Sequence, residues 1–351
     1  MSLGPVMLDL SGITLQEDER EILKHPLAGG VILFARNFES PEQLASLVAS
    51  IHALREPRLL VAVDHEGGRI QRFRNGFTRL PACRLIGRRY DQSQAEGLAL
   101  AERTGWIMAL ELRAVDVDFS FAPVLDLDKG ISRVIGDRSF HRDPEAVAAL
   151  AKHYIQGMRK AGMSAVGKHF PGHGSVKEDS HLAVPVDYRR YEDIRMDDLL
   201  CFDRLIHCGL AAIMPAHVIY PAIDGKPAGF SPVWLKTILR RQLQFQGPVF
   251  SDDLGMAGAE VAGEFPARAR AALDAGCDMV VVCNHREGAV GILENLEYTP
   301  DPAAQVRLMR MHGRNKITLR QLYEDHEWRN VSEEINALDV MPELGLGDDA
   351  V

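Results

Sequence analysis

Short apolar runs rich in β-branched residues alternate with longer stretches whose apolar positions recur at helical spacing, and the alternation persists to about residue 300. The short runs fall at Pro5–Leu10, Gly30–Phe34, Leu59–Asp64, Asp116–Pro123, Ser164–Lys168, Ala211–Ala216, Pro248–Asp252 and Met279–Cys283. Strand-then-helix repetition is the signature of βα units around a parallel sheet. Eight strands predict an α/β fold of the TIM type, a (β/α)8 barrel.

The helical stretches carry their own start signals. Leu44, Leu47, Val48, Ile51 and Leu54 share one helical face behind Ser40 as N-cap, Pro41 at the first position and Gln43 completing a capping box. Asp143-Pro144 and Ser231-Pro232 repeat the start signal ahead of two more amphipathic stretches, the first of these ending near Gly162. No Pro/Gly/Ser-rich linker or composition break interrupts residues 5–300, so a single domain is expected. We expect residues 1–330 to form the catalytic barrel domain and residues 331–351 an acidic, mobile tail with little to bury.

Composition narrows the partners. A net charge of −9 over 351 residues gives no general attraction to nucleic acid or to an anionic membrane, which points to small-molecule partners. The five cysteines are scattered and never spaced as CxxC, which argues against a disulfide framework and a zinc site and for a reducing compartment. No apolar run approaches the length of a membrane span, and Asp9 interrupts the only candidate for a leader segment, so a soluble, cytoplasmic protein is expected. No cofactor or metal is called for. The sequence does not fix an oligomeric state and is compatible with a monomer.

In a TIM barrel the reacting groups gather at the C-terminal ends of the strands, so polar residues just past each apolar run are the ones to weigh. The third run ends in Asp64-His65-Glu66-Gly67-Gly68-Arg69 with Arg72 close behind, and the fifth leads into Lys168-His169 and on to Gly174. Lys168 and His169 can bind hydroxyl or carboxylate groups at such a mouth, and Arg72 and Arg138 can add donors, although each alone also reads as a solvated surface charge. Asp179 and His181 stand two apart, so an extended segment puts a carboxylate beside an imidazole that can shuttle protons near neutral pH; a surface histidine with a solvated neighbour has the same spacing. Chemistry at an anomeric carbon needs one group to protonate the leaving oxygen and another to capture the cationic centre from the opposite face. Asp252 at the end of the seventh strand suits the second role and equally suits a helix N-cap, a task Asp253 can take instead. His217 reads as a packing histidine slightly better than as a catalytic one.

Taken in order, KHFPGHG from Lys168 to Gly174, Asp179-Ser180-His181-Leu182, Phe250 to Met256 (FSDDLGM) and DHEGGR from Asp64 to Arg69 resemble the motifs of glycoside hydrolase family 3, and within it the small bacterial β-N-acetylglucosaminidases of peptidoglycan recycling. The resemblance covers almost the whole barrel. It implies that Asp252 forms a covalent glycosyl-enzyme, that His181 paired with Asp179 is the general acid/base, and that Asp64, Arg72, Arg138, Lys168 and His169 bind an N-acetylglucosamine ring. The implied substrate is the N-acetylglucosaminyl-1,6-anhydro-N-acetylmuramyl unit of muropeptides. Two-domain members take a Glu acid/base from a second domain for which this chain has no room; a loop imidazole also meets a carboxylate-bearing leaving group more favourably than an anionic Glu does. Two positions depart from the family, His65 where Gln is frequent and Gly255 where Ser is frequent, and they bear on leaving-group preference more than on reaction class.

Three other readings remain. A metal-dependent amidohydrolase also places His, Lys and Asp at barrel strand ends, but it needs a His-x-His pair after the first strand, where this chain has Leu8-Asp9-Leu10-Ser11. A sugar-binding protein that has lost the chemistry would not be expected to keep Asp252, Asp179 and His181 together. A phosphorylase on the same scaffold stays open, because a histidine acid/base tolerates phosphate.

Overall fold

The computed structural model describes residues 2–177, 180 and 184–338. Eight parallel strands follow one another in chain order: β1 (Val6–Asp9), β2 (Ala28–Leu33), β3 (Leu60–Val63), β4 (Phe119–Ser120), β5 (Val166–Phe170), β6 (Ala212–Pro215), β7 (Phe250–Asp253) and β8 (Met279–Val282). Continuous ladders join β7-β8-β1-β2-β3-β4 into one curled sheet, and β5 pairs with β6 in a second. Single parallel bridges, Val124 to Lys168 and Ile213 to Val249, link the two sheets on either side. This is an α/β fold with a curled parallel sheet, consistent with a TIM-like barrel.

The strands fall where the apolar runs predict, with one shortened. β4 spans two residues of the expected 116–123. Asp116 sits in the left-handed region at φ 62°, Asp118 spends its carboxylate on the backbone N–H of Val61 at 2.9 Å, and Pro123 has no N–H to give, so ladder geometry survives only between them. Inside the curled sheet, the rings of Phe119 and Phe250 from β4 and β7 meet at 5.2 Å, with Phe121 edge-on to both. They fill the interior as packed side chains rather than leaving a pore.

Helices cover the outside. The predicted helix after Ser40 runs Pro41–His52, its cap accepting from the Gln43 N–H at 3.1 Å, and that after Asp143 runs Pro144–Lys160. The stretch after Ser231 winds as a looser π-helix over Val233–Gln242, burying Trp234, Leu235, Ile238 and Leu239. The helices Gln94–Ala114 and Pro144–Lys160 approach backbone to backbone: a Cβ at Gly105 would lie 2.1 Å from the Tyr154 carbonyl oxygen, and one at Gly157 2.0 Å from that of Glu102. A terminal helix, His326–Asn336, crosses the expected boundary at residue 330 and buries Val331 and Ile335 against the rest. Residues 339–351 lie outside the described residues.

Because Gly105 has no space beyond its Cα, Gly105→Val should destabilise the fold by about 1–3 kcal/mol through overpacking, despite the better helix propensity of valine over glycine. The readout is a lower urea midpoint at unchanged slope. An unshifted midpoint contradicts the close helix approach.

Candidate active site

At the C-terminal end of β3 the chain folds into a hairpin, His65–Gly67 against Ile70–Gln71, turning through Gly67 and Gly68 at φ 110° and 54°. Ser120 secures its root, accepting the His65 N–H at 3.0 Å and donating to the His65 carbonyl at 3.1 Å. This turn brings Asp64 and Glu66 onto the mouth, where Lys168 at the end of β5 meets both, 2.7 Å from each carboxylate. Arg138, beyond β4, grips Glu66 with two parallel bonds of 2.8 Å. Burial alone would raise the Glu66 carboxyl, but Arg138 and Lys168 outweigh it and hold the group well below the carboxylate range. The ammonium of Lys168 is penalised by burial in the same way and kept charged by Asp64 and Glu66.

A second set fixes the imidazole beside Lys168. Asp126, fully buried past β4, accepts His169 Nδ1–H at 2.6 Å, the His169 backbone N–H at 3.2 Å and the His173 backbone N–H at 2.7 Å. The Asp126 carboxyl would rise on burial, but neighbouring His169 draws it down. With Nδ1 committed, Nε2 is the atom His169 offers. His173 lies edge-on, its ring centroid 6.1 Å from that of His169, and its Nε2 is 3.0 Å from Ser180 Oγ. Burial, then the neighbouring His169, lowers the His173 pKa to about 4, so this ring is neutral at pH 7.

Asp252, half-buried at the end of β7, accepts the Asp253 N–H through Oδ1 at 2.9 Å. Asp253 takes the turn-fixing task instead, its Oδ1 accepting from Gly255 and Cys283 N–H groups at 2.9 Å each. His217 is buried, stacks on Phe230 and bonds the Asp253 carbonyl at 3.0 Å, a packing role that supports the β7 turn.

Asp64, Arg72, Arg138, Lys168, His169 and Asp252 line one cleft at the C-terminal strand ends. Arg72 lies over the Phe34 ring at 5.5 Å. Asp179 and His181 lie outside the described residues. Sequence reasoning missed Glu66, which itself lines the cleft, and Asp126; together they hold Lys168, Arg138 and His169 in place. Both stand just past apolar runs, in DHEGGR and in Val124-Leu125-Asp126, so the strand-end rule that found Asp64 and Lys168 reaches them too. What it lacks is a way to tell an acid facing substrate from one buried behind it. Among the described residues, no three His, Cys, Asp or Glu side chains converge as a metal-holding group.

The model of the glycosyl hydrolase family 3 N-terminal domain matches residues 6–311. A beta-hexosaminidase of Thioalkalivibrio sulfidiphilus is 62% identical over 346 residues, covering 99% of each chain. A beta-hexosaminidase of Methylococcus capsulatus is 56% identical over 332 residues, covering 94% of this chain and 98% of its own. The crystal structure of NagZ from Neisseria gonorrhoeae in complex with N-trifluoroacetyl-D-glucosamine is 44% identical and superposes with a TM-score of 0.91, covering 96% of this chain and 98% of that one.

Removing the Glu66 charge leaves Lys168 and Arg138 buried beside a neutral amide, so Glu66→Gln should cost about 3–5 kcal/mol of stability, seen as a lower denaturant midpoint. A midpoint within error of the parent rules out Glu66 as the central counter-charge. His65 supplies a pH test. Its ring is buried beside Phe73 and Phe77, and burial, then Arg72, lowers its pKa to about 3 from an ordinary 6.5. Between those values the unfolded chain takes up a proton that the folded chain refuses. As pH falls through that window, stability relative to His65→Gln should therefore drop by about 1.4 kcal/mol per unit. Parallel stability curves for parent and variant contradict a buried neutral ring.

Proposed function

Because this chain belongs to glycosyl hydrolase family 3, we propose that it is a retaining exo-β-N-acetylglucosaminidase acting on peptidoglycan turnover fragments, N-acetylglucosaminyl-1,6-anhydro-N-acetylmuramic acid with or without its peptide. The carrying observation is the single cleft at the C-terminal strand ends that gathers Asp252 with Asp64, Arg72, Arg138, Lys168 and His169. That a 44% identical structure holds an N-acylated glucosamine supports an N-acetylglucosamine pocket. We read the scaffold as one closed (β/α)8 domain, with the expected boundary at residue 330 moved past the terminal helix His326–Asn336. The free cysteines suit a reducing compartment, and we place the enzyme in the cytoplasm. No described helix is long and apolar enough to cross a membrane.

In this reading the sugar enters the cleft and Asp252 attacks the anomeric carbon from the face opposite the leaving oxygen, while His181, oriented by Asp179, gives that oxygen its proton. The glycosyl-aspartate then yields to water from which His181 takes a proton back, so two inversions retain the β configuration. Lys168 spends two of its three N–H bonds on Asp64 and Glu66 and has one for a sugar hydroxyl. Asp64 Oδ1 takes Lys168, leaving Oδ2 as an acceptor. His169 presents Nε2 alone. The Arg138 fork faces Glu66, which makes it the rigid back of the pocket as much as a binder, whereas Arg72 reaches the same cleft from the hairpin. Groups locked by buried partners bind substrate without first paying to become ordered.

The test is release of a chromophore from an N-acetyl-β-glucosaminide and from the matching glucoside, with and without chelator and phosphate, alongside Asp252→Ala. Chelator-resistant release from the N-acetyl substrate alone, reduced about 10³-fold or more in Asp252→Ala, is expected for loss of a nucleophile. Stimulation by phosphate moves the assignment to a phosphorylase, and silence on both sugars leaves a binding protein.

A further inference from the structure

The hairpin that carries Arg72 into the cleft does not stand alone. It continues through residues 73–80, and its return is tied to its outward strand by Gln71: Gln71 Nε2 donates to the Thr78 carbonyl at 2.9 Å and to that of Phe73 at 3.1 Å, and Gln71 Oε1 accepts from Leu80 N–H at 3.0 Å. The far end of this segment is held by Glu111, buried in the helix Gln94–Ala114. Its carboxylate accepts the Thr78 N–H at 3.0 Å, the Thr78 hydroxyl at 2.5 Å and the Trp328 indole N–H at 2.8 Å. Thr78 Oγ1 lies 2.8 Å from Ser332 Oγ, and the Arg79 N–H donates to Asn336 Oδ1 at 2.9 Å.

Trp328, Ser332 and Asn336 belong to the terminal helix, beyond the 6–311 stretch that the family model matches. Among the described residues no cation pairs with Glu111, and burial pushes its carboxyl up to about 7. An acid kept there without a counter-charge is costly to stability, and its hydrogen bonds go to the loop and the helix rather than to its own helix.

We propose that Glu111 and the terminal helix form a brace that positions Arg72 for substrate, with Thr78 and Gln71 transmitting the hold. Glu111 is thus a positioning residue, and the segment after the family domain takes part in binding the sugar without touching it. This rests on the reading of Arg72 as a substrate-binding residue. An amide at position 111 offers one good acceptor to three donors, so the loop loses at least one of its anchors in Glu111→Gln. Trp328→Phe removes one donor while keeping an aromatic ring in place.

The experiment measures kcat and KM on the chromogenic N-acetyl-β-glucosaminide for full-length Glu111→Gln, Trp328→Phe, Arg72→Ala and the Glu111→Gln/Arg72→Ala double variant, each checked for a cooperative unfolding transition above the assay temperature. The expected result is a KM about 3- to 10-fold higher for Glu111→Gln and Trp328→Phe with kcat nearly unchanged, and a double variant no worse than Arg72→Ala alone. If Arg72→Ala raises KM but Trp328→Phe and Glu111→Gln only lower the unfolding midpoint, the network is structural and the brace is overturned while the Arg72 reading stands. A parent-like KM for Arg72→Ala overturns both. Should Glu111→Gln fail to fold, Trp328→Phe and its double variant with Arg72→Ala decide the matter by the same criteria.

Discussion

Lys168 carries an ammonium to a position where it is almost wholly buried, and Glu66, equally buried, is what allows it to remain charged there. Neither group would tolerate the site alone, since an isolated buried charge costs several kcal/mol. Arg138 on the other side of Glu66 and Asp64 on the other side of Lys168 complete an alternating row of two acids and two bases. The row ties the end of β3 to the end of β5 and to the segment after β4, so the mouth of the barrel has one arrangement rather than several. The hairpin turn through Gly67 and Gly68 exists in this frame to fold Glu66 back under the mouth, where only glycines supply the required positive φ without strain.

The same logic repeats one layer over. Asp126 spends its oxygens on His169 and on backbone N–H groups, which fixes the tautomer and direction of the ring beside Lys168. These interior acids fix the direction of the side chains in front of them, whereas Asp64 and Asp252 stay half-buried at the mouth.

At the opposite end of the barrel the charges do a different job. Asp118 accepts from Arg58, Val61 N–H and Gly313 N–H, with His52 and His312 close by. Burial works against its ionisation, and the histidines and Arg58 reverse that. This cluster pins the segment after residue 311 to the bottom of the sheet, and the terminal helix that follows bonds Glu111 and Thr78 through Trp328 and Ser332. A single C-terminal stretch is thereby fastened both to the bottom of the sheet and to the segment that returns from the Arg72 hairpin.

By itself, the sequence determined which segments become strands and which side chains stand at their C-terminal ends. Both follow from local periodicity and from the direction of the chain. Asp64, Lys168, His169 and Asp252 were legible for that reason, as was the helix after Ser40, whose cap is written within four residues. The division between Asp252 and Asp253 was left open by adjacency, and the tertiary structure gave the turn to Asp253 because Cys283, thirty residues on, presents its N–H there. Glu66 and Asp126 looked like any other strand-end acids until the fold put Arg138, 72 residues away, around the first and His169 against the second. The brace at Glu111 was invisible for the same reason in stronger form, since its partners are Thr78 on one side and Trp328, 217 residues later, on the other. Local pattern fixes where a side chain can point. Which buried charge it meets is decided by long-range packing, and only the folded chain carries that.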